Sequence, residues 1–175
     1  MIATLEPMLP DDCEPVIDIY NYYIENSFAA YAEKRVPYEF FDPFLGAHAG
    51  YPSLTARDGN GRIVGFGRLR PYNQNPAFSR TCEVSYFVAP GFTGKGVGKM
   101  LLNRLVAEGG SMGITNILAG ISSLNEGSLR FHLRNGFREC GRFQGIGRKN
   151  GLTFDVIYCQ LPLGHSAINR KTRTE

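Results

Sequence analysis

A glycine-dense turn carries the strongest chemical signal in this sequence. The chain runs Gly94-Lys95-Gly96-Val97-Gly98-Lys99 at this point. A β-branched and aromatic stretch over residues 81–88 precedes it, and a leucine-rich helical pattern follows it. Glycine lets the backbone approach an anion closely, and a helix start offers unpaired N–H groups at the positive end of its dipole. We therefore expect a phosphate-bearing ligand at this turn.

Two common phosphate-binding fingerprints do not fit this turn. A P-loop in this frame needs Gly at position 93 and Ser or Thr at position 100, but the chain has Thr93 and Met100. A dinucleotide-binding pattern needs its third glycine at position 99 or 101, where the chain has Lys99 and Leu101. The remaining alternative is a tight turn whose glycines serve steric needs alone.

Glu83 is the candidate general base. It lies in the apolar stretch before the turn, where a carboxylate is costly unless it has a chemical role or a partner. Pairing with Arg68 or Arg80 is the alternative. Strand alternation places the neighbouring Cys82 on the opposite face, so a buried apolar cysteine is the preferred interpretation there. For His132, in the next predicted helix, a packing or surface role is preferred to a catalytic one.

Composition narrows the class of protein. The chain has 175 residues and a net charge of +3, which fits one domain and does not by itself indicate nucleic-acid binding. No apolar run reaches the length of a membrane span, and the first residues do not resemble a signal peptide. The cysteines and histidines lack metal-ligand spacing, so we expect no metal site, no disulfide scaffold and a cytoplasmic location.

The predicted elements give an α/β (α+β) fold, with helices flanking a mixed, mostly antiparallel sheet. We expect a single domain over residues 1–163 and a polar, flexible tail over 164–175. The predicted strands cover residues 2–5, 53–57, 62–70, 81–88, 114–121, 137 onward and 152–161. The predicted helices cover residues 16–25, a short broken segment within 37–50, the stretch after the glycine turn to 108, and 125–135, with extended backbone at 28–32.

Two motifs in the second half resemble the GNAT superfamily of N-acetyltransferases. Its motif A is matched by Val88-x-Pro90-x-x-Thr93-Gly94-x-Gly96-x-Gly98. Its next motif is matched by Asn125-Glu126-Gly127-Ser128, followed by Asn135-Gly136-Phe137. Within the superfamily the chain is similar to the phosphinothricin and methionine sulfoximine acetyltransferases, through residues 19–27, Glu83, and Asp155-Val156-x-x-x-Gln160-Leu161. The resemblance implies a GNAT fold with a twisted sheet.

The resemblance implies acetyl-CoA as co-substrate and the primary amine of a small molecule, such as an amino-acid analogue, as acceptor. The backbone of the glycine turn would hold the pyrophosphate. Phe87 and Val88 would present backbone groups to the pantetheine arm, like an added strand. The implied cofactor-binding residues are Tyr86, Phe87, Val88, Gly94, Lys95, Gly96, Val97, Gly98, Lys99, Asn125 and Ser128.

On the acceptor side, the simplest mechanism is direct attack by the amine, with Glu83 as the base, acting directly or through water. Tyr158, on the last predicted strand, is the candidate general acid. Arg70, Tyr72 and Asn73 are the candidate substrate-binding residues, and Arg68 and Arg70 could bind a carboxylate of the acceptor. The resemblance also implies a homodimer.

The chain departs from the family pattern in three places. Thr93 stands where motif A usually has Gln or Arg, and Phe154 stands where phosphinothricin enzymes of producer organisms carry His. The chain has no Trp, although the loop before the catalytic strand often carries a Trp-Arg pair. Other functions therefore stay open: acetylation of protein N-termini or lysines, acyl-CoA binding without turnover, and nucleotide binding.

Overall fold

The computed structural model describes residues 3–45 and 50–164, and the strands within them form one seven-stranded sheet. The strands are β1 (Thr4–Pro7), β2 (Ser53–Arg57), β3 (Ile63–Pro71), β4 (Thr81–Val88), β5 (Asn116–Ser122), β6 (Arg138–Lys149) and β7 (Leu152–Pro162). Their order is β1-β2-β3-β4-β5-β7-β6. Among the described strands, only the β4–β5 pair is parallel, which confirms the predicted mixed, mostly antiparallel sheet.

Helices cover both faces of the sheet. They are α1 (Cys13–Asn26), α2 (Asp42–Leu45), α3 (Val97–Ser111) and α4 (Glu126–Arg134). Buried residues at helical spacing turn α1 towards one face, where they pack with Phe66, and turn α3 towards the other, where its leucines pack with Ile117. In the described part of the chain, no helix is both long enough and apolar enough to cross a bilayer.

Most local differences from the sequence-based expectations lie in the first third of the chain, but β5 also begins two residues later than predicted, at Asn116, and α3 ends three residues later, at Ser111. The first strand begins at Thr4 and ends at Pro7, two residues later than predicted. Residues 28–30 form bends rather than a strand. The predicted broken helix is a 3-10 turn, Tyr38–Phe41, that leads into α2. The predicted tail, apart from Gly164, lies outside the described residues.

The two central strands separate soon after they meet. β4 and β5 pair only where Thr81, Cys82 and Glu83 face residues 116–118. On its other side, β4 stays paired with β3 from Cys82 to Val88. From residue 84 to residue 88, β4 therefore has a partner strand on one side only. A cleft opens between this part of β4 and β5.

Candidate active site

A cavity of about 670 Å³ occupies the cleft between β4 and β5. Its walls come from residues 84–88 of β4, residues 119–122 of β5, the glycine turn and the start of α4. Tyr23, Ala29 and Tyr31 also line it. The predicted cofactor-binding residues that line it are Tyr86, Phe87, Val88, Gly94, Gly96, Gly98, Lys99, Asn125 and Ser128. Segments that are far apart in sequence thus share one cavity.

The pairing of β3 with β4 determines which backbone groups face this cavity. Ala89 donates its N–H to the Val64 carbonyl at 2.8 Å, and Phe87 pairs with Phe66 two residues earlier. Hydrogen-bonded and non-hydrogen-bonded pairs alternate along an antiparallel ladder, so Phe87 directs its backbone groups to β3. This corrects the expectation for Phe87: the backbone of Tyr86 and Val88 faces the cleft instead.

The glycine turn leaves the start of α3 without a side-chain cap. Gly94 and Gly96 have φ values of 74° and 88°, in the left-handed region that suits glycine. Gly96 is the N-cap of α3 and offers no side chain to the first N–H groups of the helix. Two predicted residues of the turn point elsewhere: Lys95 lies 5.1 Å from the centre of the Phe92 ring, and Val97 is buried in the core.

The start of α4 closes the cleft, and the last turn of the same helix contains a buried histidine. Asn125 caps the helix by accepting a hydrogen bond from the Ser128 N–H at 3.2 Å. His132 is 4% exposed, and its Nδ1 lies 2.8 Å from the Ser128 carbonyl while its Nε2 lies 2.6 Å from the Tyr86 hydroxyl. Because a carbonyl only accepts, Nδ1 carries the proton and Nε2 accepts from Tyr86. Burial lowers the pKa of His132.

Glu83 is the last residue of β4 that pairs with β5, so it lies at the narrow end of the cleft, where the two strands begin to separate. It lies beside the cavity and is not one of its lining residues. Its carboxylate forms an ion pair with Arg70, the residue directly opposite on β3, with Nη2 2.5 Å from Oε2. The alternative did not name Arg70; of the arginines that it did name, Arg68 stacks over the Phe44 ring at 4.5 Å and Arg80 bonds the Gly113 carbonyl. The ion pair joins the candidate base to a candidate substrate-binding residue.

Tyr158 lies near this ion pair, Tyr72 lies near Tyr158, and Asn73 follows Tyr72 in the chain. Tyr158 lies on β7, opposite Gly120 of β5. Burial raises the pKa of the Tyr158 phenol, and the Glu83 carboxylate raises it further. Tyr72 contributes to the same shift and packs on the Phe78 ring with the centroids 5.7 Å apart. Asn73 has its side-chain oxygen bonded to the Asn75 N–H at 2.8 Å, so that acceptor is used within its own loop.

Sequence reasoning missed Tyr31. Its hydroxyl donates to the Gly120 carbonyl at 3.3 Å and its ring lines the cavity. Burial, followed by Tyr158 and Glu83, raises the pKa of Tyr31 to about 12. No motif marks this residue, because it lies in an irregular segment between α1 and α2. Among the residues that the structure describes, no three His, Cys, Asp or Glu side chains converge as metal ligands.

Comparisons with known proteins agree with this geometry. The family model described as the acetyltransferase (GNAT) family matches residues 16–137. The chain is 31% identical over 163 residues to a phosphinothricin N-acetyltransferase of Streptomyces coelicolor, covering 91% of this chain and 95% of that protein. It is also 31% identical over 158 residues to an L-methionine sulfoximine/L-methionine sulfone acetyltransferase of Salmonella typhimurium, covering 89% and 92% of the two chains.

Solved structures show the same fold. A phosphinothricin acetyltransferase from Sinorhizobium meliloti, crystallised with AcCoA, superposes with a TM-score of 0.88 at 28% identity, covering 99% of this chain and 95% of that one. A ribosomal-protein-alanine N-acetyltransferase from Brucella melitensis superposes with a TM-score of 0.86 at 30% identity, covering 91% and 99%. The family match spans most of the chain and includes the glycine turn, the diverging strands and α4. The chain therefore belongs to the GNAT family of acetyltransferases.

Proposed function

We propose that this protein transfers the acetyl group of acetyl-CoA to the primary amine of a small, amino-acid-like acceptor. The observation that carries the proposal is the cleft, which joins an uncapped helix start to the Glu83–Arg70 ion pair. The names of the relatives direct attention to phosphinothricin and methionine sulfoximine as the first acceptors to test. Both are α-amino acids, so they carry a carboxylate next to the amine.

The donor side of the cleft has the groups that acetyl-CoA needs. The uncapped N–H groups from Gly94 to Lys99 are suited to the pyrophosphate, and the absence of Cβ atoms at the glycines lets it approach. Backbone groups of Tyr86 and Val88 can pair with the amides of the pantetheine arm. The Val88 carbonyl already accepts one hydrogen bond, from the Tyr23 hydroxyl at 2.6 Å, which leaves it one further lone pair. Asn125 and Ser128 border the same arm.

On the acceptor side, Glu83 accepts a proton from the ammonium group of the acceptor, directly or through water. Glu83 passes this first proton to solvent, and the neutral amine attacks the thioester carbonyl. A C–N bond forms, the C–S bond breaks, and Glu83 takes the second proton from the attacking nitrogen to leave the neutral amide. Tyr158 donates its phenolic proton to the leaving CoA thiolate and regains one from solvent. The raised pKa of Tyr158 keeps this phenol protonated at neutral pH, as a general acid must be.

Arg70 can serve both the base and the acceptor. A guanidinium has five N–H donors, and the half-exposed Arg70 has one nitrogen on Glu83. The other donors are available for the carboxylate of an amino acid, which would place its amine beside Glu83. Tyr72 and Asn73, which follow the end of β3 at Pro71, would border this position.

We also propose a homodimer, in which the outer edge of β6 forms the interface. This edge strand is 12 residues long and exposes Phe143 and Ile146 by 54% and 62%, an apolar surface that a second copy would cover. A cytoplasmic location and a single acetyltransferase domain over residues 1–163 complete the proposal. The four unpaired cysteines are consistent with a reducing compartment.

A second acceptor class has one specific observation in its favour. The Brucella melitensis structure bears a name that specifies a protein alanine as its acceptor, and it matches this fold as well as the others do. An amino terminus of a protein and the amine of a free amino acid present the same nucleophile. The carboxylate distinguishes them, because only the free amino acid can pair it with Arg70.

Acceptor profiling tests the proposal. The protein is incubated with acetyl-CoA and a panel of phosphinothricin, methionine sulfoximine, free amino acids, their amides and short Ala-initiated peptides, and CoA thiol release is measured. Release with amino acids but not with their amides supports the proposed acceptor class. Release with peptides and amides supports the second class. Calorimetric binding of acetyl-CoA without release with any amine would contradict both and indicate an acyl-CoA-binding protein.

A further inference from the structure

Tyr31 crosses the narrow end of the cleft. Its hydroxyl bonds the carbonyl of Gly120, two residues beyond Leu118, which is the last residue of β5 that pairs with β4. The uncapped start of α3 lies near the wide end, where β4 ends at Val88. A donor whose phosphates occupy the wide end therefore extends its acyl group towards the Tyr31 ring.

The Tyr31 ring is supported from behind by an aromatic cluster. Phe154 is 4% exposed, and its ring centre lies 5.5 Å from that of Tyr31 and 5.8 Å from that of Phe28. Phe154 is itself held against Gly147, where an added Cβ would lie only 2.3 Å from the ring. Tyr31 thus rests on a packed surface that has no space to yield in that direction.

A buried lysine fixes the backbone that carries Tyr31. Lys149 is fully buried, and its ammonium donates to the carbonyls of Ile24 at 2.6 Å, Ser27 at 2.8 Å and Ala30 at 2.8 Å. These contacts use all three of its N–H donors. Two of the acceptors lie at the C-terminal end of α1, where the helix dipole favours a cation, and the third precedes Tyr31 directly. Burial lowers the pKa of Lys149, but the three carbonyls offset the lost hydration.

From this arrangement we infer that Tyr31 is a specificity-determining residue that restricts the acyl donor to short chains of two or three carbons. Lys149 is a positioning residue that holds Tyr31 across the cleft. A longer acyl chain would have to break the Tyr31–Gly120 hydrogen bond and separate Tyr31 from Phe154. The inference rests on the proposed function in one respect, namely that the thioester lies at the narrow end of the cleft.

Truncation of Tyr31 is the main test. The kcat/KM values for acetyl-, propionyl-, butyryl- and hexanoyl-CoA are measured with wild type, Tyr31→Phe and Tyr31→Ala. In Tyr31→Ala we expect the butyryl-to-acetyl ratio to rise at least about tenfold, the discrimination that one or two methylenes give in a shaped pocket. In Tyr31→Phe the ratio should stay within about twofold, because the ring that blocks the chain remains.

Lys149→Met tests the positioning role. It should raise the butyryl-to-acetyl ratio in the same direction as Tyr31→Ala, whereas Lys34→Met, an exposed lysine in the same segment, should leave it unchanged. Should Lys149→Met fail to fold, as checked by circular dichroism, Phe154→Leu replaces it. This variant keeps an apolar core residue and removes the ring behind Tyr31, so the same rise in the ratio is expected.

Donor binding without an acceptor separates this inference from the proposed function. Calorimetry with butyryl-CoA should show tighter binding to Tyr31→Ala than to wild type, with CoA itself unchanged between them. This result is accessible even if no amine supports turnover, so the failure of the proposed acceptor would not conceal it. Equal butyryl-CoA affinities in the two proteins, or wild type that binds hexanoyl-CoA as tightly as acetyl-CoA, would overturn the inference.

Discussion

The two sides of the cleft are built from different kinds of groups. The proposed donor side consists mainly of backbone: the uncapped N–H groups of α3 and the edge of β4 at Tyr86 and Val88 that has no strand partner. The proposed acceptor side consists of side chains, with Glu83 and Arg70 paired across two strands and Tyr158 on a third. Backbone donors are present whatever the side chain is, whereas each acceptor-side group can be lost by one substitution. Donor binding should therefore tolerate variation, while acceptor chemistry should not.

Glu83→Gln should give the largest effect and fall entirely on the acceptor side. Loss of a general base lowers kcat by about 10²- to 10⁴-fold, while KM for acetyl-CoA stays within about twofold. Steady-state kinetics with the best acceptor of the panel measures both values. Glu39→Gln, an exposed glutamate on the 3-10 turn before α2, is the matched control. If Glu83→Gln kept the kcat of the wild type, Glu83 would not be the general base.

Arg70→Met should come next in size. The variant loses a charge-assisted hydrogen bond to the acceptor carboxylate, which corresponds to about a tenfold to hundredfold rise in the acceptor KM. The acetyl-CoA KM should not change, since Arg70 lies outside the cavity lining. Arg62→Met, just before the same strand, is the control. An equal rise in both KM values would show that the two sides of the cleft are not separable.

Gly96→Ala tests the donor side where backbone conformation matters. Gly96 has a φ of 88°, and an alanine there costs about 1–2 kcal/mol in the left-handed region. We expect up to about a tenfold rise in the acetyl-CoA KM, with the acceptor KM unchanged. Gly59→Ala, in the turn between β2 and β3, is the control: an added Cβ meets nothing within 4 Å at either glycine, but Gly59 does not have a positive φ. An unchanged acetyl-CoA KM would show that the turn adapts to the side chain.

The smallest expected effect is a pH dependence of stability from His132, behind the donor wall. Burial lowers the pKa of His132 in the folded protein, so the unfolded chain binds the extra proton as the pH falls below about 6.5. Stability should therefore fall on acidification, by at most about 1.4 kcal/mol per pH unit from this group. Urea unfolding at pH 7.5 and 5.5 measures the fall, and His132→Gln should show a smaller one. If the free energy of unfolding falls equally in wild type and His132→Gln between the two pH values, the pH dependence comes from other groups.

The donor side could be predicted from sequence because its signals are local. Glycines at 94 and 96 mark the turn, and Asn125 marks the helix cap, within a few residues of the groups that they position. Which backbone groups of β4 face the cleft could not be predicted in the same way. That depends on the parity of the β3–β4 register, and the prediction was wrong for Phe87 while its neighbour Val88 faces the cleft.

The acceptor side was harder to predict from sequence, because it too depends on how distant segments pair. The Arg70–Glu83 pair exists because two strands place those residues opposite each other, and two other arginines were equally plausible from sequence. Tyr31 reaches the cleft from a segment without periodicity. Lys149 was recognisable only as part of a hairpin turn, although the fold buries it against the end of α1. Side-chain sites assembled from distant segments depend on tertiary contacts that no local pattern encodes.

The early separation of β4 from β5 also bears on how the protein avoids aggregation. It gives β4 a free inner edge in the middle of the sheet, besides the outer edges at β1 and β6. Exposed strand edges recruit other polypeptides, and short strands, prolines and covering helices are the usual protection. Here β1 is short and ends at Pro7, while the inner edge lies in a cleft bounded by α4 and Tyr31. We expect a thin flexible arm to enter such a cleft more readily than a strand with side chains, which would keep the inner edge available to a cofactor.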